Sequence, residues 1–409
     1  MNDVDLSKID QDILDIFEEV KQDRRYIHAH LEVGPEQPDT VKYVKEQFSK
    51  LDDIIIIEGV AKAGVVIDIL CKNSGPTIGF RADMDALNLT ESMEQEHFPT
   101  KHNFCSTFEN KMHACGHDVH TAILIGFGQI IYKHRTFLKG KVRLLFQPGE
   151  EGYGGGKQMV EANYLHDVQN VFALHCWPNM EVGQIGFRKG AFFASVDHFV
   201  VKISGIGGHG ASPEKASDQI LALSSIITNL QSMLPRRISG LDQKVLSIGY
   251  VTAGDKKATG VLPQTAEFGG TFRTFDDNVK EKIKRELENI CEYTAKAVHP
   301  LCKVEIEYTN SYPQTINDET MVNKLEDLFS TFIEPQNLFP NYIPTLGAED
   351  FSYMLKKVPG VLFLIGTNPA HKEIEDNEFL HNPAFDPDEQ SMLYGVQAFK
   401  SIVFDFLSK

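Results

Sequence analysis

Short apolar runs alternate with amphipathic segments along most of the chain. Buried strands are predicted for GVVIDIL (64–70), TIGFRAD (77–83), VRLLFQP (142–148), VFALHCW (171–177) and GVLFLIG (360–366). Between these runs apolar residues recur at helical spacing, most clearly at 120–134 and 387–407. Strands that are apolar along nearly their whole length, alternating with helices, favour an α/β fold with a mostly parallel sheet.

The first predicted helix lies near the N-terminus. Ser7 followed by Asp10 resembles a capping box, and the residues after it that recur at helical spacing are Ile9, Ile13, Ile16, Phe17 and Val20. The pattern therefore predicts a helix that begins at Ser7.

The middle of the chain follows a different order. From 193 to 304 we read the strand HFVVKIS, a helix over 214–233, the strands VLSIGYV and TAEFGGTFRTF, a helix over 279–298 and the strand KVEIEYT. That β-α-β-β-α-β order is typical of a ferredoxin-like unit. We therefore expect an inserted domain at 193–304 and a discontinuous first domain made of 1–192 and 305–409.

Composition and charge exclude several classes of protein. The chain has 409 residues, and 40 Lys and Arg against 57 Asp and Glu give a net charge of −17, which does not suit binding to a nucleic-acid backbone. No run approaches the ~20 apolar residues that span a bilayer, and the acidic N-terminus does not resemble a signal peptide. Six cysteines without a CxxC pair suggest free thiols. We expect a cytoplasmic protein that contacts neither nucleic acid nor membrane.

The segment His113–His120 (HACGHDVH) is the most unusual in the sequence. With 15 His in 409 residues, eight positions should hold about 0.3 histidines, and this segment holds three, with a cysteine and an aspartate. Imidazole and thiolate suit transition metals. Cys115 and His117 are two residues apart, so on an extended segment both would point to one side.

A pair of glutamates follows the predicted strand at 142–148. In FQPGEEG (146–152), Pro148 and Gly149 interrupt the extended backbone, which allows Glu150 and Glu151 to face one site. One carboxylate can bind metal while the other takes a proton from a water whose pKa a metal lowers from 15.7 to about 7.

Other polar residues also come at the ends of predicted strands. Asp83, Asp85 and His175 join the two glutamates there, and ligands bind at the carboxyl ends of the strands in open α/β sheets. His381, in LHNP after the last strand, is a further candidate.

Two glycine-rich stretches resemble nucleotide-binding motifs only in part. Gly205–Gly210 fits GxGxxG, but no acidic residue follows about 20 positions later and Pro213 interrupts the expected helix. GYGGGK (152–157) lacks the spaced first glycine and the Ser or Thr of a phosphate loop, and no GxSxG occurs. A nucleotide-dependent oxidoreductase remains only as a competing hypothesis, which an effect of NAD on the melting temperature would favour.

These motifs together resemble a known family. GFRADMDAL (79–87), MHACGHDVHTAILIG (112–126), FQPGEEG (146–152), GAEDFSY (347–353) and LHNPAFDPDE (380–389) are similar to the aminoacylase, hippurate hydrolase and indoleacetyl-amino-acid hydrolase branch of the di-metal zinc-peptidase-like amidohydrolases. RRYIHAHLE (24–32) and GGHGASP (207–213) match as well. The matches keep the family's order over nearly the whole chain.

The resemblance implies a role for individual residues. The ligands of a centre holding two divalent transition metals (Zn, Mn, Ni or Co) would be Cys115, His117, Glu151, His175 and His381. Glu150 matches the general base and acid. His209 resembles a histidine of the lid domain that reaches the oxygen of the tetrahedral intermediate, often one bound in the partner subunit. Arg273 resembles a lid position that binds the substrate carboxylate. The groups that orient the ligands would be Asp83, Asp85 and Asp118.

The resemblance also implies the activity. We expect hydrolysis of the amide bond of small N-acyl-L-amino acids, by a homodimer formed through the lid domain. A dipeptidase or carboxypeptidase on the same centre is the alternative, and a catalytically silent metal-binding scaffold is a third hypothesis. The chain departs from the family pattern at Leu31, Asn88 and Gly260. Because Gly260 lies near the proposed lid site, substrate specificity is the property that we do not carry over from the resemblance.

Overall fold

The computed structural model of the protein describes residues 6–369 and 379–408. Its contacts divide the chain into two units. The first comprises the residues up to Phe192, Thr315–Ile343 and the residues from Asp350 onward, and the second comprises Phe193–Gln314 and Pro344–Glu349. Within 6–369 and 379–408 no helix combines the length and apolar character needed to cross a membrane.

Strands and helices alternate through both units. The strands are β1 Ile54–Val60, β2 Gly64–Leu70, β3 Asn73–Asp83, β4 Lys139–Gln147, β5 Val168–Glu181, β6 Ile185–Gly186, β7 Gly190–Phe193, β8 Ser195–Ser204, β9 Gly208–His209, β10 Lys244–Ala253, β11 Val261–Leu262, β12 Thr265–Thr274, β13 Lys303–Tyr312, β14 Thr315–Asn317, β15 Leu338–Phe339 and β16 Gly360–Asn368. The α-helices are α1 Gln11–Asp15, α2 Phe17–Ala29, α3 Pro38–Phe48, α4 Phe98–Lys101, α5 His117–His134, α6 Glu150–Tyr153, α7 Gly155–Glu161, α8 Gln219–Arg237, α9 Asp277–Val298, α10 Glu319–Phe329, α11 Ser352–Leu355 and α12 Ser391–Leu407.

The first unit is built on an eight-stranded sheet. Its strand order is β1-β2-β4-β3-β5-β16-β6-β15, and the four central strands β4, β3, β5 and β16 run parallel. Antiparallel pairs join β1 to β2, β2 to β4 and β6 to β16. The prediction of a mostly parallel α/β sheet is therefore confirmed.

The central strands are apolar along nearly their whole length because both of their faces are covered. All nine residues of β16 are buried, and so are the last seven residues of β3. Helix α5 packs against α2 and α12 and contacts β3, and fourteen of its residues are buried. Such a helix is apolar on nearly all sides because neighbours surround it.

The second unit is a four-stranded antiparallel sheet with two helices. The strand order is β10-β12-β8-β13, and along the chain the main elements follow β8-α8-β10-β12-α9-β13, the βαββαβ order predicted from the sequence. The apolar residues of α8 and α9 share a core with the buried side chains of these strands. The unit extends to Gln314, beyond the expected end at 304, because β13 pairs with β8 from Lys303 to Thr309 and again at Tyr312.

Three predicted helix starts are wrong by several residues. The N-terminal helix begins at Gln11 after a short 3₁₀ turn, Leu6–Lys8, and the helical run is divided at Ile16. Helix α8 begins at Gln219, where the Asp218 carboxylate accepts a hydrogen bond from the Leu221 backbone, after a 3₁₀ turn at Pro213–Lys215. Helix α12 begins at Ser391. In each case a local turn precedes the helix and uses backbone groups that the predicted helix would have hydrogen-bonded.

Candidate metal centre

Cys115 and His117 lie at the N-terminal end of α5. Between them Gly116 has φ 87°, a left-handed conformation, and His117 begins the helix, so the expected extended segment is wrong. A Cβ at Gly116 would lie 2.9 Å from the Cβ of Cys176, which explains why the turn needs glycine. This turn, rather than strand alternation, directs the two side chains to the same place.

Glu150 and Glu151 lie in a distorted turn after β4. Gly149 precedes them with φ 63°, and Glu151 itself has ψ 67°, so α6 is not a regular helix. As a result the carboxylates of both residues come within 4.8 Å of a ring nitrogen of His117. Glu150 is buried and Glu151 is partly exposed.

The sequence predicted that His175 would lie at the end of its strand, but the structure places it inside β5. Strand β5 runs to Glu181, but its pairing with β3 stops at Ala173, opposite Arg81. His175 therefore follows the point at which β3 ends alongside it. The place of His175 beside the candidate centre therefore depends on where pairing with β3 stops, and not on where β5 itself ends.

His381 reaches the centre from a loop. Its φ is 64°, unusual for a residue other than glycine, and its backbone N–H donates to the Ala114 carbonyl at 2.7 Å. This hydrogen bond ties the loop to the segment just before Cys115. The His381 side chain is about half exposed, and its Nε2 lies 3.1 Å from an oxygen of Glu151.

The five residues form two groups of three that share one sulfur. Cys115, His117 and His175 have ligand atoms within 4.8 Å of one another, and so do Cys115, Glu151 and His381. Sulfur, imidazole nitrogen and carboxylate oxygen are the donors expected for Zn²⁺, Co²⁺ or Ni²⁺. The geometry therefore brings together two adjacent groups of donors that share Cys115, and their role as metal ligands stays a prediction.

Hydrogen bonds fix which nitrogen each buried histidine presents. His117 Nδ1 donates to the carbonyl of Asp85 at 2.7 Å, and His175 Nδ1 donates to the carbonyl of Cys176 at 2.8 Å. Each ring therefore keeps Nε2 for the centre. His175 Nε2 lies 3.5 Å from Cys115 Sγ, and His117 Nε2 is buried without a hydrogen-bond partner among the residues that the structure describes.

Asp83 and Asp85 hold the surrounding backbone and side chains. The two oxygens of Asp85 accept from the backbone N–H groups of Glu150 and Glu151, at 2.9 and 3.0 Å. Asp83 pairs with Arg81 at 2.7 Å and with the ring of His120 at 2.6 Å. Both carboxylates lie where the sequence placed them, and their orienting role stays a prediction.

Asp118, in the first turn of α5, belongs to a network of buried polar side chains. Its Oδ2 accepts from Arg24 Nε at 3.1 Å and lies 2.9 Å from His28 Nδ1. The other ring nitrogen of His28 lies 2.8 Å from Glu91, and the two carboxylates outweigh the effect of burial and raise the pKa of His28 to about 9. The network joins α2 to the beginning of α5.

The electrostatics of the centre suit a cation. Burial alone would lower the pKa of His117, but Asp83 and Asp85 outweigh it and raise this pKa to about 10. Burial and the nearby Glu151 and Glu150 raise the pKa of the Cys115 thiol well above its usual value. An environment that holds a proton on both groups also favours a metal ion, which displaces those protons when it binds.

His209 and Arg273 lie in the second unit. His209 is exposed on β9, paired with Val261 of β11, and its Nδ1 accepts from the backbone N–H of Ala211 at 3.0 Å. Arg273 is half-buried on β12 and donates to the carbonyl of Leu346 at 2.8 Å. Neither contact assigns a function, so both roles stay predictions.

Sequence reasoning missed two residues near the centre. Asp350 accepts from Gln147 Nε2 at 2.7 Å and from the Gly156 backbone at 2.8 Å, and its own N–H points to Glu150 Oε1 at 3.4 Å. Its signal was present in the motif GAEDF. His120 lies three residues after His117, a spacing that places both on one face of α5.

Comparisons with known proteins agree with this geometry. Residues 79–405 match the model for "Peptidase family M20/M25/M40". An IAA-amino acid hydrolase, ILR1-like 4, of Arabidopsis thaliana is 33% identical over 96% of this chain and 87% of its own length. N-acetylcysteine deacetylase of Bacillus subtilis is 34% identical over 93% of this chain and 94% of its own.

A solved structure shares the fold as well. The Bacillus subtilis YXEP protein, described as a dinuclear metal-binding peptidase from the M20 family, superposes with a TM-score of 0.79. It is 30% identical, covering 96% of this chain and 99% of its own. Fold and donor set together define a metal-dependent hydrolase of amide bonds. The chain belongs to peptidase family M20/M25/M40, which confirms the resemblance inferred from its motifs.

Proposed function

We propose that the protein hydrolyses the amide bond of small N-acyl-L-amino acids to a carboxylic acid and a free amino acid. The observation that carries the proposal is the pair of three-residue groups that share Cys115, with Glu150 beside them. The relatives named IAA-amino acid hydrolase and N-acetylcysteine deacetylase act on substrates of this class, as their names state.

The proposed ligands are those brought together around Cys115. One divalent ion would be held by Cys115, His117 and His175, and a second by Cys115, Glu151 and His381. Bound there, the two ions would lower the pKa of a water molecule and polarise the acyl carbonyl. Thiolate and imidazole favour Zn, Ni or Co over Mn, although the supply of each metal in the cell decides occupancy.

Glu150 is the proposed general base and acid. Its side chain is buried. The backbone N–H of Glu150 donates a hydrogen bond to Asp85, which holds the backbone from which the side chain projects. Glu150 takes the proton from the attacking water and passes it to the nitrogen of the leaving amine. His209 is proposed to donate a hydrogen bond to the carbonyl oxygen as negative charge develops on it, and Arg273 to bind the substrate carboxylate.

The first experiment measures metal and activity together. Protein purified without chelator is analysed for metal content, and release of free amino acid is assayed over a panel of N-acyl amino acids. We expect two ions per chain and hydrolysis that EDTA abolishes and added metal restores. A protein that binds metal but hydrolyses no member of the panel would contradict the proposed substrate class. A protein that binds no metal even after reconstitution would contradict the proposed metal centre.

Replacing Glu150 tests the chemistry separately from the metal. Glu150→Gln keeps the size of the side chain but removes the base, so we expect turnover to fall by about 10²–10⁴-fold with unchanged metal content. Glu151→Gln is the matched neighbour, and here we expect metal loss. Wild-type turnover in Glu150→Gln would exclude Glu150 as the base.

A peptidase is the second candidate. Thermostable carboxypeptidase 2 of Saccharolobus solfataricus is 33% identical over 99% of both chains. In both kinds of substrate the amine of the released residue is acylated. A dipeptidase also requires a free α-amine on the acyl side of the scissile bond, which an acetyl or benzoyl group lacks. Comparing Gly-Leu with N-acetyl-Leu and benzoyl-Leu at equal concentration therefore separates the two activities.

Assembly and location remain predictions. The edge strand β10 of the second unit carries exposed Tyr250 and Val251, which supports pairing with a second copy through this unit. A homodimer predicts twice the chain mass of 45.9 kDa in light scattering. The cytoplasmic location and the lack of nucleic-acid or membrane partners rest on the sequence argument alone.

A further inference from the structure

His120 is a buried histidine with two hydrogen bonds and no role in the chemistry proposed above. Its ring is 1% exposed. Nδ1 lies 2.6 Å from Asp83 Oδ1 on β3, and Nε2 lies 2.8 Å from the backbone nitrogen of Cys176 on β5. The ring therefore joins two strands of the sheet beside the centre.

The second of these hydrogen bonds fixes the tautomer of His120. A backbone N–H can only donate, so Nε2 must accept and carries no proton. The remaining ring proton must then lie on Nδ1, from which it is donated to the carboxylate of Asp83. An imidazolium would place a second N–H against the N–H of Cys176, so the arrangement requires a neutral ring.

His120 holds the peptide group that links His175 to Cys176, because the N–H of Cys176 is part of that group. The carbonyl of Cys176 accepts the hydrogen bond from His175 Nδ1, at 2.8 Å, and its N–H donates to His120. Both backbone groups of one residue are thus bound by histidine rings. Holding the His175–Cys176 peptide group restrains the backbone of His175 and, one peptide group further on, the Cys176 carbonyl that accepts from its ring. With the ring in this position, its Nε2 faces Cys115.

The sheet does not provide this restraint from β3. Pairing between β3 and β5 ends with Arg81 opposite Ala173, so Cys176 lies beyond the reach of that ladder. His120, projecting from α5, supplies the acceptor for its N–H instead. The rings of His120 and His175 also meet edge to face, with centroids 4.7 Å apart.

We propose that His120 is a positioning residue, which holds the His175–Cys176 peptide group so that His175 presents Nε2 to the metal centre. The inference rests on the proposed function only in taking His175 as a ligand. Asp83, His117 and His120 also lie close enough to form a metal site of their own. Both nitrogens of His120 are engaged by protein groups, however, which favours positioning over binding.

The tautomer can be measured without metal. Long-range ¹H–¹⁵N correlation spectra of the metal-free protein, labelled with ¹⁵N-histidine, report which ring nitrogen carries the proton, and the resonance of His120 is the one that His120→Gln removes. We expect a neutral ring protonated at Nδ1. A ring protonated at Nε2, or at both nitrogens, would overturn the proposal.

Metal affinity tests the positioning itself. His120→Gln keeps one acceptor and one donor, whereas His120→Leu removes both. Titration with Co²⁺ against a chelating dye should show one of the two ions bound about 10–100-fold more weakly in His120→Leu, with most of the loss recovered in His120→Gln. His134→Leu, at the other end of α5 and paired with Asp12, is the matched control and should bind as wild type.

The remaining outcomes each decide the question. Wild-type affinity in His120→Leu, or equal losses in the Leu and Gln variants, would overturn the proposal. A Co²⁺-induced paramagnetic shift showing direct coordination by His120 would do so too, because the residue would then be a ligand. If the wild-type protein bound no metal, the proposed function would fail, while the tautomer measurement would still test the hydrogen bonds of His120. Circular dichroism of each variant establishes that it is folded.

Discussion

The carboxylate of Asp85 lies 2.9 Å from the backbone nitrogen of Glu150 and accepts its N–H. Its other oxygen accepts the N–H of Glu151, at 3.0 Å. One carboxylate at the end of β3 therefore holds the turn on which the proposed base and a proposed ligand both lie. The position of Glu150 depends on this pair of hydrogen bonds as well as on its own side chain.

This relationship predicts the effect of Asp85→Asn. An amide offers one oxygen, and its NH₂ group would face one of the two backbone N–H groups, so the turn should lose its orientation. We expect kcat to fall by about 10–100-fold, with a smaller change in metal affinity. Steady-state kinetics and metal titration measure the two effects.

A matched variant controls for the removal of charge. Asp53 is exposed and has φ 58°, a conformation that asparagine tolerates, so Asp53→Asn should behave as wild type. A kcat in Asp85→Asn equal to that of Asp53→Asn would show that the two hydrogen bonds do not position the turn.

The shared sulfur predicts unequal metal losses. Cys115 belongs to both three-residue groups, whereas His175 belongs to one. Cys115→Ala should therefore lose both ions, while His175→Ala should retain the one associated with Glu151 and His381. Elemental analysis after dialysis measures this difference, and a Cys115→Ala protein that keeps one tightly bound ion would mean that the sulfur does not bridge the two positions.

His209 should affect turnover and leave metal content unchanged. If it donates to the developing oxyanion, His209→Ala should lower kcat by about 10²–10³-fold. Metal content, measured on the same sample, should equal that of wild type because His209 is not among the residues grouped around Cys115. Stoichiometric loss of metal in this variant would instead make His209 a ligand.

Replacing Asp23 should stabilise the protein by an amount that depends on pH. Burial raises the pKa of this carboxyl to about 6, in spite of the hydrogen bond from Tyr43 at 2.7 Å. Because the folded-state pKa lies above the unfolded value of 3.8, ionisation costs stability as the pH rises through 6. Asp23→Asn should therefore raise the free energy of unfolding at pH 7.5 by about 1–3 kcal/mol.

The same variant contains its own control. At pH 4.5 the carboxyl of Asp23 is largely protonated in the folded protein but still partly ionised in the unfolded chain, so the gain should be well below its value at pH 7.5. Urea unfolding at the two pH values measures the difference. An equal gain at both would point to packing rather than to ionisation.

The sequence by itself determined the central strands of both units, the order of the main elements and the set of chemical groups. Strand β2 has the predicted bounds, 64–70, and the βαββαβ order of the second unit could be read from alternating patterns. These features follow from local periodicity, which reflects which side of each element is buried. The proposed donors follow from residue type and from the family resemblance of their motifs, and they are Cys115, His117, Glu151, His175 and His381.

Tertiary structure decided how those groups meet. The left-handed turn at Gly116 depends on the close approach of Cys176, and the functional position of His175 depends on where its neighbour β3 stops pairing. Neither is visible in the periodicity of a single segment. The same holds for helix starts, such as that of α8, where Asp218 caps the first turn.

The supporting hydrogen bonds were also decided by tertiary structure. Asp85 holds a turn 65 residues away, and His120 binds a backbone group 56 residues away. Such contacts join strands that are distant in sequence but adjacent in a parallel sheet, so no local pattern encodes the partner. The sequence specified which chemistry is available, and the crossing of α5 with β3 and β5 specified which nitrogen and which oxygen face the centre.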